Sequence, residues 1–260
     1  MTARPTAPDV ASIMQTYSEV IAEYLNAIRV GGQEAVRAAA SLVADKVIGD
    51  ELVYVYGPGG HSNLAAQEVF FRAGGLANVS AILDSGTMLA DGALRSMNVE
   101  RTPGYGRLVI ADNGLGSGDL MILVNAYGIN SALIDAALAC RERGVTLIGV
   151  SSRAHAEQTP PDHPARHPSR QNLHDLVDVH VDTLVPVGDA VLAIEGVTDD
   201  VGAISTFANA YAMQSIMVCA IAEVRSRGAE PTVWRSANAP DGDTRNGRFI
   251  DRFRHRVRWL

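Results

Sequence analysis

Cysteine is nearly absent from this chain of 260 residues: Cys140 and Cys219 are the only two, and both fall in apolar helical patterns. No disulfide framework is implied, since a thiol in such a setting behaves as a small hydrophobe, and a reducing, cytoplasmic compartment fits. Basic residues are also in short supply. With 22 Lys and Arg against 29 Asp and Glu the net charge is −7, whereas binding to nucleic acid needs a basic face, so nucleic acid is not an expected partner. The start of the chain, Met1 to Asp9, lacks the apolar core of a signal peptide and reads as a lead-in to the first helix. Only one uncharged run has transmembrane length, Ala203 to Ala222, and it carries Ser205, Thr206, Asn209, Gln214 and Ser215. A helix of that kind belongs in a core or a subunit interface, so no membrane is expected. Metal ligands are sparse as well. His155, His163, His167 and His174 invite a zinc reading, but Pro160, Pro161, Pro164 and Pro168 prevent the helix that would align His163 with His167, and no cysteine completes a tetrahedral set. Neither metal nor cofactor is expected.

What remains is ordinary for a soluble globular protein, 47% hydrophobic and 20% charged, and long enough for one full core. Helical patterns run from Val10 to Arg29 and from Gln33 to Ile48, with Gly31-Gly32 between them. A βα rhythm follows. Strands are predicted at Leu52 to Tyr56, Val79 to Leu83, Leu120 to Asn125, Val145 to Val150, Val177 to Val181 and Thr232 to Arg235, each short and rich in branched residues. Helices are predicted at Ser62 to Ala73, Ser131 to Arg143 and Ala203 to Arg227. Alternation of this kind means an α/β three-layer sandwich around a doubly wound parallel sheet. Residues 84–118 and 151–174 are too long for simple connections and are expected to be functional or interface loops.

The most informative stretch is Tyr54-Val55-Tyr56-Gly57-Pro58-Gly59-Gly60-His61-Ser62, which continues as Asn63-Leu64-Ala65-Ala66-Gln67-Glu68-Val69-Phe70-Phe71-Arg72-Ala73-Gly74-Gly75. A strand breaks at glycines and turns into a helix, so a hydroxyl and an imidazole stand where free helix amides point outward and an anion can sit. Glu68 lies about two turns after His61, at nearly the same angular position. A second loop, Asn125-Ala126-Tyr127-Gly128-Ile129-Asn130-Ser131, repeats the arrangement of strand end, glycine and polar cap. Ligands of open α/β sheets bind at such strand ends, although a plain tight turn needs the same residues.

The first block, together with Gly188-Asp189-Ala190, Ile194-Glu195-Gly196, Val201-Gly202, Ser205-Thr206 and Ser236-Ala237-Asn238, resembles the sugar isomerase (SIS) domain proteins, and the likeness spans nearly the whole chain. It implies a flavodoxin-like sandwich with a five-stranded parallel sheet, a phosphosugar site at the strand ends and a homodimer or homotetramer. It also implies an organisation of helices at 1–50 that pack on the domain or in an interface, a sugar-binding domain at 51–236, and a tail at 237–260 that completes the site or the interface. Two departures stand out. Where the family carries two phosphate-holding serines, this chain has Asn125 and Tyr127, and where an acidic-histidine pair is expected it has Asp243 and Arg245.

Aldose–ketose interconversion through an enediol needs a base for the proton beside the carbonyl and a group that moves protons between oxygens. Glu68 and His61 are the candidates, Glu68 having as its plain alternative a pair with Arg72 at i+4. Glu195, after an apolar run and before Gly196, is a second candidate base or a capping group. Gly57, Gly59, Gly60, Ser62, Asn125, Tyr127, Gly128, Asn130, Ser131, Asp189, Ser205, Thr206 and Asn238 are expected to hold a sugar or sugar phosphate, Ser205 and Thr206 serving first as helix caps. The arginines of the tail, Arg245, Arg248, Arg252, Arg254, Arg256 and Arg258, form the one basic cluster and suit a solvated or inter-subunit face. Sugar isomerisation is the leading expectation; a non-catalytic sugar-binding regulator and a sugar-ether lyase use the same features.

Overall fold

The computed structural model describes residues 9–260. Asp9 caps α1 (Val10–Gly31) by accepting the Ser12 amide at 3.2 Å, and α2 (Gln33–Ile48) follows across Gly32. The strands β1 (Val53–Tyr56), β2 (Val79–Ile82), β3 (Leu120–Val124), β4 (Thr146–Ser151) and β5 (Val179–Asp182) form one parallel sheet in the order β2-β1-β3-β4-β5. Every residue of β2 and β3 is buried, as cover on both faces requires. One face packs on α2, α3 (Ser62–Val69) and α8 (Ser205–Ser226) through Ala40, Val43, Ala66, Met213 and Ile216. The other packs on α5 (Tyr105–Asp112) and α6 (Ser131–Glu142) through Ile110, Leu133, Ala136 and Cys140. The three-layer α/β sandwich read from the sequence is the fold. The uncharged stretch at 203–222 becomes most of α8, whose Ala212, Ile216 and Ala220 enter the core while Phe207 and Val218 face outward.

The two helices of the second layer touch at Gly106. A Cβ there would overlap the carbonyl oxygen of Ala132 and stand 2.8 Å from the Ala136 amide nitrogen, both backbone atoms of α6. Gly106→Ala is therefore expected to lower stability by about 2 kcal/mol, seen as a drop in melting temperature. Gly247→Ala is the control: with nothing within 4 Å of the new Cβ it should leave the melt unchanged or slightly raised.

Several elements differ from the sequence expectation, each for a local reason. The helix predicted to reach Ala73 stops at Val69, because Phe70 turns extended and Phe71 takes a φ of 49°. The supposed loop at 84–118 contains α4 (Ala93–Glu100) as well as α5, and that at 151–174 contains α7 (Arg153–Gln158). The remainder of the second loop is held by Arg166, whose guanidinium donates to the carbonyls of Thr159 and Pro160 and to Asn172 Oδ1. Thr232 to Arg235 is not a strand; Val233 makes a single antiparallel bridge to Leu76. A short hairpin, β6 (Ala190–Leu192) and β7 (Val201–Ala203), precedes α8 and accounts for the later start of that helix.

The tail forms α9 (Gly242–Phe253), and its Phe249 and Phe253 pack with Trp234 on Leu52 and Ala77, the residues leading into β1 and β2. Three of its arginines pair within the chain: Arg252 and Arg256 with Asp50, Arg258 with Asp112. This closes the N-terminal edge of the sheet, opposite the loops that leave β1 and β3. Within one chain the tail therefore does not complete the crevice described next, and Asn238 is exposed in the turn before α9.

Candidate active site at the strand switch point

In the order 2-1-3-4-5 the chain reverses its direction across the sheet between β1 and β3, which opens a crevice at their C-terminal ends. The two loops singled out in the sequence leave those ends and lie side by side. Asn125 binds them together: its Nδ2 donates to the Pro58 carbonyl at 2.9 Å and to Ser62 Oγ at 3.1 Å, while its Oδ1 accepts the amides of Tyr127 at 3.0 Å and Gly128 at 2.9 Å. The expectation that Asn125 donates to a ligand anion is corrected here, since its whole hydrogen-bonding capacity is used inside the chain. Ser62 Oγ accepts from Asn125 and keeps its own proton to give. The amides of Gly59, Gly60, His61 and Ser62 have no acceptor among the described residues. Ser131, buried, starts α6, and its preceding residue Asn130 makes no cap bond.

A roof over the first loop comes from the segment after β2. Gly59 takes a φ of 117°, and a side chain there would collide with Glu100 Oε2; one on Gly60 would collide with Leu89. Glu100, the last residue of α4, thus places its carboxyl directly against the glycine loop. Burial pushes that carboxyl up from its ordinary value to about 7, with the charge of Arg101 and the Asn130 side chain pulling the other way. Tyr56 and Tyr127 both lie near enough for the Glu100 charge to raise their hydroxyls further than burial alone does. Three buried polar atoms of this neighbourhood, Tyr56 Oη, Asn63 Oδ1 and Asn130 Oδ1, have no partner. Sequence reading missed Glu100 because it fell within a stretch taken for loop. One signal was available: an acidic residue ending a helix opposes the macrodipole and needs another reason to be there.

A family model for the SIS domain matches residues 16–152, more than half of the chain. The chain belongs to the SIS domain family. A UPF0309 protein of Brucella anthropi is 34% identical to this SIS chain over 247 residues, covering 95% of it and 98% of its own length. A UPF0309 protein of Streptomyces griseus is 33% identical over 235 residues, covering 90% and 92%. Among solved structures, a phosphoheptose isomerase from Neisseria gonorrhoeae matches with a TM-score of 0.53 at 12% identity, over 82% of this chain and 99% of its own. One from Francisella tularensis matches with a TM-score of 0.52 at 12% identity, over 84% and 100%. At that identity the likeness is one of fold.

The remaining candidates of this SIS chain separate into four places. His61 is exposed beside the crevice, while Glu68, seven residues along α3, sits about 10 Å away along the helix axis. Glu68 pairs with Arg72 at 3.3 Å and accepts from Gln214 Nε2 at 3.2 Å. It lines a groove of about 470 Å³ between α3 and α8 that Thr206 and Phe71 share. Asp189 is spent on the start of α8, accepting the amides of Ile204 and Ser205 at 3.1 and 2.7 Å and the Ser205 hydroxyl at 2.6 Å. Glu195 lies exposed at the tip of the β6–β7 hairpin, without a side-chain partner among the described residues. Gly57, Gly59, Gly60, Ser62, Asn125, Tyr127, Gly128, Asn130 and Ser131 are the predicted residues that the fold brings together.

Tyr127 fills the side of the crevice toward β4. Its ring stacks on His155 at 3.8 Å, and burial lowers the imidazole's pKa, so this flank presents neutral aromatic surface. Beyond it, His180 meets Ser151 Oγ at 3.0 Å, and burial takes His180 down to about 4.

Proposed function

We propose that this SIS-domain protein binds a sugar phosphate in the crevice between β1 and β3 and interconverts its aldose and ketose forms through an enediol. The observation that carries this reading is the run of unpaired amides from Gly59 to Ser62 at the strand switch point, completed by the Ser62 hydroxyl and faced by the start of α6. Such amides favour an oxyanion without any basic side chain, which suits an acidic chain. The stacked Tyr127 and His155 give the sugar carbons a flat apolar wall. A second reading, sugar-phosphate binding without turnover, is favoured by Asn125, whose internal commitment makes the pocket rigid and poorer in hydroxyl donors than family serines would.

Aldose and ketose monophosphates of five, six and seven carbons, compared with the corresponding free sugars, test both. The isomerase reading expects a phosphorylated member to raise the melting temperature by several degrees and, in deuterated water, to take up deuterium at the carbon beside its carbonyl. Stabilisation without exchange by any member selects the binding-only reading. Stabilisation by free sugars alone removes the phosphate from the proposal.

A further inference from the structure

From the isomerase reading we infer that Glu100, not Glu68, is the group that carries the proton between the two carbons of the sugar. Four observations converge on it. Its Oε2 lies against Gly59, at the one position where any side chain on the loop would displace it. It stands beside Asn130, whose buried Oδ1 is unpartnered, and within the field of Tyr56, whose buried hydroxyl is unpartnered too. It faces the glycine loop at the strand switch point, whereas Glu68 is held by Arg72 and Gln214 in a separate groove. It also makes no ion pair with any side chain among the described residues, so its charge is not already neutralised by a close partner.

The step is balanced within the substrate. The ionised carboxylate takes the proton from the carbon beside the carbonyl; the electron pair of that C–H bond becomes the enediol double bond, and the carbonyl oxygen gains a proton from the neighbouring hydroxyl through solvent. The same carboxyl then gives its proton to the former carbonyl carbon. One carbon is oxidised as its neighbour is reduced, and no co-reactant is required. The carboxyl must be ionised to begin, so burial gives it a proton affinity matched to neutral pH, with Arg101, Tyr56 and Tyr127 the titratable or charged groups that face it.

Deuterium exchange into the sugar monophosphates is followed in wild type, Glu100→Gln and Glu68→Gln, with thermal stabilisation by the same compounds measured in parallel. Expected are a loss of exchange of at least a hundredfold in Glu100→Gln with stabilisation retained, a near-wild-type rate in Glu68→Gln, and a wild-type rate that rises with pH through about 7 and then levels. Retained exchange in Glu100→Gln overturns the assignment, and so does loss of ligand stabilisation together with exchange, which would make Glu100 a binding group. Absence of exchange from wild type with every compound overturns the isomerase reading itself, an outcome distinct from either of these.

Discussion

Relative to wild type, Glu100→Gln is expected to gain about 3 kcal/mol of unfolding free energy as the pH is raised from 4 to 8, and His180→Gln to lose about as much between pH 4 and 7. Both follow from burial acting on groups of opposite charge type. In the folded chain Glu100 holds its proton up to about 7, while the unfolded chain releases it near the ordinary 4.5. Between those values the unfolded state binds fewer protons, so wild-type stability falls as pH rises, and glutamine removes the fall. His180 is the reverse. It stays neutral in the fold down to about 4, whereas the unfolded imidazole takes up a proton below 6.5, so its contribution is complete above 6.5 and is lost as pH falls. His155, lowered chiefly by burial, adds to the same sign. Urea unfolding at stepped pH reads the differences directly, and comparison with wild type cancels the surface carboxylates common to all three proteins. A Glu100→Gln curve parallel to wild type throughout would mean that the carboxyl is solvated.

A carboxyl whose ionised form destabilises the fold at neutral pH is hard to account for by packing, because glutamine has nearly the same shape without the penalty. Its placement beside a glycine loop at the switch point links the stability of the chain to its proposed chemistry.

The sheet, its two covering layers and the position of the crevice were legible because they rest on signals internal to short segments. Residues 52–56, 120–125 and 145–150 are apolar enough to be buried on both faces, and the glycines at 57–60 and 128 can only be read as breaks. The roof was not legible. In Leu94-Arg95-Ser96-Met97-Asn98-Val99-Glu100 polar and apolar residues alternate without a clean stripe, and what makes a helix of it is tertiary: Ser96 is buried and its hydroxyl donates to the Thr87 carbonyl. The same lack of local signal hid the β6–β7 hairpin, which is fixed by Asp189 reaching the start of α8 and by the Tyr17 hydroxyl of α1 donating to Ala203. His61 stands at the N-cap of α3, outside the helix, and Glu68 lines a groove that depends on where α8 crosses α3, which no spacing rule contains. The tail illustrates the opposite case. Arg252, Arg256 and Arg258 looked free in the sequence because Asp50 and Asp112 are more than a hundred residues away along the chain.

Asn125→Ala is expected to destabilise the protein by about 4 kcal/mol. Asn125 is 3% exposed, and removing its amide leaves the Tyr127 and Gly128 amides and the Pro58 carbonyl without partners. Each orphaned group costs on the order of 1–3 kcal/mol, less than additively where the loops relax together. Serine, the residue the family resemblance led one to expect, is one bond too short to span both loops and should recover little of the loss. Aspartate separates the two halves of the tie. Its one oxygen still accepts the Tyr127 and Gly128 amides, but the other replaces Nδ2 and faces the Pro58 carbonyl, so it must carry a proton to fit. Asn125→Asp is therefore expected to approach wild-type stability near pH 4 and to fall away as the carboxyl ionises above it, a dependence that denaturant melts at the two pH values reveal. Equal stability of the aspartate variant at both would mean that the link across to Pro58 contributes nothing, and that the β1 and β3 loops are held in register by the sheet alone.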